Sequence, residues 1–261
     1  MSMFVREPAV AGMFYPADRQ SLVAEIDQQL ADNPCSGGRP KALVVPHAGY
    51  IYSGGVAARA YNLLRPHADS IRRVILLGPS HRVAFQGLAL PDCEYFRTPL
   101  GDVPIDLDSL ALVDDMPQVK VLAEAHEQEH SLEVQVPFLQ RVLTQFSLLP
   151  LVVGPCHSRD VAEVLQRLWG GAETLVLIST DLSHFHDYEE AQHLDRSTSD
   201  LICKLQEPLM GEQACGCYPL NGLLYELKQR QLGIELLELK NSGDSAGSHQ
   251  RVVGYGAYAV F

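Results

Sequence analysis

From residue 42 onward the chain alternates short, wholly apolar runs with stretches in which apolar residues recur at helical spacing. Residues 42–46 (ALVVP) read as a buried strand and 55–64 (GVAARAYNLL) as a helix. Strands are expected at 73–78 and, shorter, at 87–90. Residues 131–143 carry Leu132, Val136, Leu139, Val142 and Leu143 on one helical face, and Pro137 should bend that helix or start it later. A strand at 146–153, a helix at 158–168 and a strand at 175–179 come next. Two long helices, 188–205 and 218–230, accompany closing strands at 234–239 and 252–260. Strands apolar throughout, rather than alternating, are buried on both faces. Helices between them predict an α/β fold with a largely parallel central sheet and helices on both faces. Residues 33–40 (NPCSGGRP) read as a loop and not as a domain boundary, because too little precedes them to fold alone. No repeat or low-complexity linker divides the chain, so one domain, 1–261, is expected.

Composition narrows the function classes. Apolar residues make up 46% of the chain, enough for a sizeable core, and no apolar run approaches the length of a membrane helix. The N-terminal residues (MSMFVREPAVAGMFYPAD) carry acid and proline where a signal peptide needs a clean apolar stretch. The six cysteines (Cys35, Cys93, Cys156, Cys203, Cys215, Cys217) form no C-x-x-C pair, and the expectation is reduced thiols in a cytoplasmic protein. Cys215-Gly216-Cys217 is too tight for a zinc ribbon and reads as a turn. A formal charge of −12 argues against nucleic acid and against anionic membranes, since phosphate binding needs a basic footprint. Arg72-Arg73 is the only basic cluster and reads as a solvated loop.

The candidate chemistry lies in the loops at the strand ends. The first strand runs into Pro46-His47-Ala48-Gly49-Tyr50, the second into Gly78-Pro79-Ser80-His81. The strand near 175 runs into Ser179-Thr180-Asp181-Leu182-Ser183-His184, and the one near 234 reaches Asn241-Ser242-Gly243-Asp244-Ser245. Open α/β sheets bind ligands at the carboxyl ends of their strands. A lone histidine there is usually a hydrogen-bonded structural residue. Three at equivalent strand ends converge without sequence proximity and point to a metal, imidazole being the commonest metal ligand. Two imidazoles and a carboxylate suit non-heme iron(II).

Glu129-His130-Ser131-Leu132-Glu133 reads both as a capped helix start and as a way to face His130 into that pocket. His157 and His186 rank below the first set, and His67, His126, His193 and His249 read as surface or loop residues. Tyr50, Tyr52 and Phe185 read first as core packing and second as the wall of an aromatic pocket. No P-loop lysine follows Gly54-Gly55, no G-x-G-x-x-G follows a strand, and no G-x-S-x-G elbow occurs, so neither nucleotide binding nor serine hydrolysis has support.

With these motifs, and with residues 6–16 (REPAVAGMFYP), the sequence resembles the Memo family, whose prokaryotic members are also called AmmeMemoRadiSam system protein B. The resemblance runs from residue 5 to residue 261 and implies a fold similar to class III extradiol dioxygenases. By resemblance His47 and His81 match the family's two metal-binding histidines, His184 a third pocket histidine and His130 the one in the helix-start motif. Where the animal member carries a cysteine, this chain has Asp244 or Ser245. Asp244 would complete a two-histidine, one-carboxylate site favouring iron(II), with copper or zinc as alternatives. Ser245 would weaken metal binding and the enzyme reading with it.

Three functions stand as expectations. The first is a metal-dependent oxidoreductase of the non-heme iron dioxygenase type, acting on a small molecule with aromatic rings among the candidates. In it His130 or His184 handles protons and Asp181 orients a histidine. The second is a non-catalytic module binding a peptide or protein partner. The third is a metal-assisted hydrolase. The resemblance also implies association with a radical-SAM protein and a small companion protein.

Overall fold

The computed structural model describes residues 4–261; the first three residues of the expected 1–261 domain lie outside that range. In chain order come β1 (Val5–Arg6), α1 (Arg19–Asp32), β2 (Ala42–Val45), α2 (Tyr50–Tyr61), a 3-10 turn (Asn62–His67), β3 (Arg73–Pro79) and β4 (Leu88–Leu90). Next are β5 (Tyr95–Thr98), β6 (Gly101–Pro104), α3 (Leu107–Ala111), β7 (Val119–Val121), α4 (Glu124–Glu127), α5 (His130–Glu133) and α6 (Val136–Val142). The remainder is β8 (Ser147–Val153), α7 (Ser158–Leu168), β9 (Thr174–Ser179), β10 (His184–His186), α8 (Tyr188–Cys203), α9 (Cys217–Arg230), β11 (Glu235–Asn241), a 3-10 turn (Ser242–Asp244) and β12 (Val252–Val260).

The centre of the main sheet is the parallel set β2-β9-β3-β8. Side chains along these strands alternate between two cores. Leu43, Val45, Val74 and Leu76 pack with α1, α2 and α6 on one face. Ala42, Val44, Ile75 and Leu77 pack with α7, α8 and α9 on the other. Burial on both faces is why these runs carry no polar alternation. Antiparallel strands extend both sides of the set: β4 on β8, and β12 on β2. β11 is antiparallel to β12, so it runs in the same direction as β2. The ends of β2, β3, β9 and β11 therefore share one edge, as the four-loop argument required.

Several expected elements differ. The helix expected at 55–64 begins at Tyr50, directly after the first histidine loop. The helix expected at 131–143 is two, α5 and α6, with Pro137 in the first turn of the second, where its missing N–H leaves no bond unmade. Helix α1, capped by Asp18 and burying Leu22, Ile26 and Leu30, was not anticipated, nor was the small sheet β1-β5-β6. Among the described residues no helix is long and apolar enough to cross a membrane.

Candidate metal centre

Three site residues stand two positions beyond a strand end: His47 after β2, His81 after β3 and Asp181 after β9. His130 opens α5, which is fastened to the end of β3 because Ser131 Oγ donates to the Pro79 carbonyl at 2.9 Å. A Cβ at Gly78 would lie 2.8 Å from both Leu132 and Ser131, so only glycine lets strand and helix approach this closely.

The result is a cluster. His47, His81 and His130 each offer one ring nitrogen, and these atoms lie within 4.8 Å of one another. No other group of three ligating side chains comes as close among the described residues. Ring centroids are 5.2 Å apart for His47–His81, 5.4 Å for His47–His130 and 4.5 Å for the stacked His81–His130 pair. His47 is buried at the floor, His130 half-buried and His81 at the mouth. The cluster opens into a cavity of about 520 Å³ whose wall includes Phe14, Tyr52, His184, Arg251 and Tyr255. Cavities of about 620 and 630 Å³ lie elsewhere, and neither gathers such a cluster.

Hydrogen bonds fix which nitrogens face inward. Ser179 Oγ donates its only proton to the Ser131 carbonyl at 2.6 Å and accepts from Gln135 Nε2 at 2.8 Å. Toward His47 Nδ1, 3.0 Å away, it must accept, which puts the proton on Nδ1 and the ring's lone pair on Nε2. His81 Nδ1 faces Glu129 Oε1 at 2.8 Å, and the His81 backbone N–H donates to Oε2 at 2.6 Å. The same oxygen Oε1 lies 3.4 Å from His130 Nδ1. Burial pushes the Glu129 carboxyl up, but hydrogen bonds from His81 and the Ser131 backbone outweigh it and bring the group to about 2. Burial, then the neighbouring imidazoles, lower His47 to about 3 and His130 to about 4. Two of the three rings are thus neutral donors at pH 7. Imidazoles anchored at Nδ1 by a fixed partner, as His47 and His81 are, belong to the donor set a transition metal uses, and these residues fit one.

The remaining expected residues divide. His184 lines the cavity with Nδ1 donating to the Leu182 carbonyl at 2.8 Å, outside the cluster of three. Asp181 is buried, its carboxyl raised by that burial, and it accepts the His47 backbone N–H at 2.7 Å. It thereby orients the His47 main chain rather than a ring.

Asp244 requires correction as the third ligand. Its carboxylate accepts from Tyr188 Oη and from the Asn241 backbone N–H in its own capping turn, and the third side chain brought into the cluster is His130. Ser245 Oγ donates to the Tyr52 and Ser242 carbonyls. His126 also requires correction: it is buried, with Nε2 against the Ala89 carbonyl. His157 caps α7 and His186 pairs with Glu190. Tyr50 is core, as its first reading held, whereas Tyr52 lines the cavity and Phe185 is exposed. Sequence reasoning missed Glu129, whose only visible signal was its place before His130. It also missed Cys215, whose Sγ lies 3.3 Å from His47 Nε2. Burial holds that thiol protonated, raising it to about 12.

Residues 6–259 match the family model described as Memo-like protein. The MEMO1 family proteins of Aquifex aeolicus and Methanopyrus kandleri are each 34% identical to this chain. The first alignment covers 97% of this chain and 98% of the relative, the second 97% of both. That of Archaeoglobus fulgidus is also 34% identical, over 96% and 97%. Among solved structures, an uncharacterized protein from Escherichia coli K12 superposes with a TM-score of 0.54 at 13% identity, over 82% of this chain and 98% of that one, a likeness of fold alone.

Proposed function

The chain belongs to the Memo family, and on that premise we propose that it is a metal-dependent oxidoreductase of the non-heme iron dioxygenase type, with His47, His81 and His130 holding the metal. The observation that carries the reading is the three-imidazole cluster opening into a cavity of small-molecule size. Bound iron(II) would supply the redox chemistry that adds oxygen to a small substrate. Imidazole donors alone also suit copper and zinc, so iron is favoured by the family likeness to extradiol dioxygenases rather than by the donor set.

The chain's own residues do the rest. Glu129 holds His81 through ring and backbone, and Ser179 fixes the His47 tautomer. His184, with Nδ1–H tied to a carbonyl, presents Nε2 as a proton acceptor at the cavity wall. Phe14, Tyr52 and Tyr255 supply aromatic wall surface for a ring.

Elemental analysis of protein purified without air tests this. Near-stoichiometric iron in wild type and Asp244→Ala, with loss in His47→Ala, His81→Ala and His130→Ala, is the expected result. Iron retained in His130→Ala but lost in Asp244→Ala would reinstate the carboxylate site. No metal in wild type after anaerobic loading would favour the second reading, a peptide- or partner-binding module. That reading draws support from Met13 and Ile51, exposed neighbours in sequence of the cavity residues Phe14 and Tyr52. It requires that His81→Ala leave partner binding intact.

A further inference from the structure

Arg251 is the only lysine or arginine on the cavity wall, and among the described residues it has neither a carboxylate partner nor a hydrogen-bonded carbonyl. In a chain of net charge −12, with 32 acidic residues, an unpaired arginine beside a cavity calls for an account. Two features of the backbone put it there. Arg251 immediately precedes β12, and Arg251, Val253 and Tyr255 all line the cavity, the spacing of one strand face. The pairing of β10 with β12 shifts register between His184 and His186, and Phe185, at that irregularity, has φ of 66°. A positive φ is unusual for a phenylalanine, and bulges of this kind re-aim side chains. Here the ring is 62% exposed and lies under the Arg251 guanidinium, 4.9 Å from its centroid.

The guanidinium packs against the Phe185 ring, and the N–H groups along its edges have no acceptor among the described residues. Those edges match the two oxygens of a carboxylate. Deeper in, the rings of His47, His130, Phe14, Tyr52 and Tyr255 surround the space and suit an aromatic ring.

We infer that Arg251, shelved on Phe185, is a specificity-determining residue that grips the carboxylate of a small aromatic acid while the ring reaches the histidine cluster. This rests on the metal-site reading for what happens at the ring, but not for the recognition itself.

Three probes of similar shape test it by calorimetric titration: 4-hydroxyphenylacetate, 4-ethylphenol and tyramine, which are anionic, neutral and cationic. Wild type is expected to bind the anion about tenfold more tightly than the neutral phenol, and tyramine more weakly still. Arg251→Gln should abolish the anion's advantage and leave the neutral probe unchanged; Arg251→Lys should restore part of it. Equal affinity for anion and phenol, a preference that survives Arg251→Gln, or no binding by any probe overturns the inference. Iron content is measured on the same samples. Anion preference that tracks Arg251 in protein devoid of metal refutes the metal reading alone; iron-replete protein without the preference refutes this inference alone.

Discussion

Glu129 shows how much of the site depends on a carboxylate that need not touch a metal. One oxygen accepts the His81 backbone N–H, and the other takes His81 Nδ1 and the Ser131 N–H. An amide in its place keeps one acceptor and turns the other position into a donor facing a donor. Glu129→Gln should therefore lower metal affinity about 10- to 100-fold, the usual cost of losing a residue that orients a ligand. Competition with a chelator measures this; unchanged affinity would mean that His81 is held by other means.

The sequence predicted a helix start here with Ser131 near the cap; the cap is Glu129, whose side chain accepts from the Ser131 N–H. Its partner His81 is 48 residues away, and no local pattern encodes that pairing. His126 illustrates the same blindness. Glu124, Glu127 and Gln128 stand close by in the sequence, yet it is 3% exposed and its Nδ1 has no partner. Burial lowers it from 6.5 to about 4. In the unfolded chain the ring takes up its proton first, so stability should fall as pH drops through the window from about 6.5 to about 4. Below that window both states are protonated and this contribution is spent. Urea midpoints across the range should fall less steeply for His126→Gln; parallel slopes would show that other groups carry the acid sensitivity.

At the scale of elements, what was legible was whatever burial alone determines. Strands β2, β3, β8, β9 and β12 were found almost to the residue because both faces are apolar. Helix α1 escaped because its buried stripe is only Leu22, Ile26 and Leu30 among polar neighbours. The break between α5 and α6 is instructive. One apolar stripe runs through both, so periodicity reads a single helix, with Pro137 the only sign of division. The break lets α5 serve the site and α6 serve the core. In the first, His130 faces the cavity; in the second, Phe138 and Leu139 are buried. Asp244 stays out of the cluster for a reason at the same level. Its strand does end at the right edge, but a short 3-10 turn comes next, and that turn uses the carboxylate to cap its own backbone. A loop aligned by spacing gives the correct edge without giving the direction of a side chain.

Over the whole molecule, the first residues of the fold are tied to the site by a buried ion pair. Arg6 pairs with Glu133, the last residue of α5, and donates to the His126 and Glu129 carbonyls at 3.0 and 2.9 Å. Glu133 also accepts from the Ala9 and Val10 backbone N–H groups and from Tyr15 Oη. The segment between them carries Phe14, whose ring lies 4.6 Å from that of His130. One carboxylate thus holds both the helix bearing His130 and the loop that covers it.

Removing either partner strands a buried charge, but not equally. Arg6→Met leaves Glu133 with three other donors, whereas Glu133→Leu leaves the guanidinium only neutral carbonyls and frees the loop at three points. Both should destabilise by about 3 kcal/mol or more, with Glu133→Leu the more severe. Hydrogen exchange should also rise around Ala9 and Val10 in Glu133→Leu, while Arg6→Met keeps those amides protected. The double variant removes both charges and should regain part of the stability lost by Glu133→Leu, yet not the amide protection, because the acceptor is still gone. Equal protection in all three would mean that the loop is held over the histidines by its apolar contacts alone, and that Glu133 serves the ion pair without serving the site.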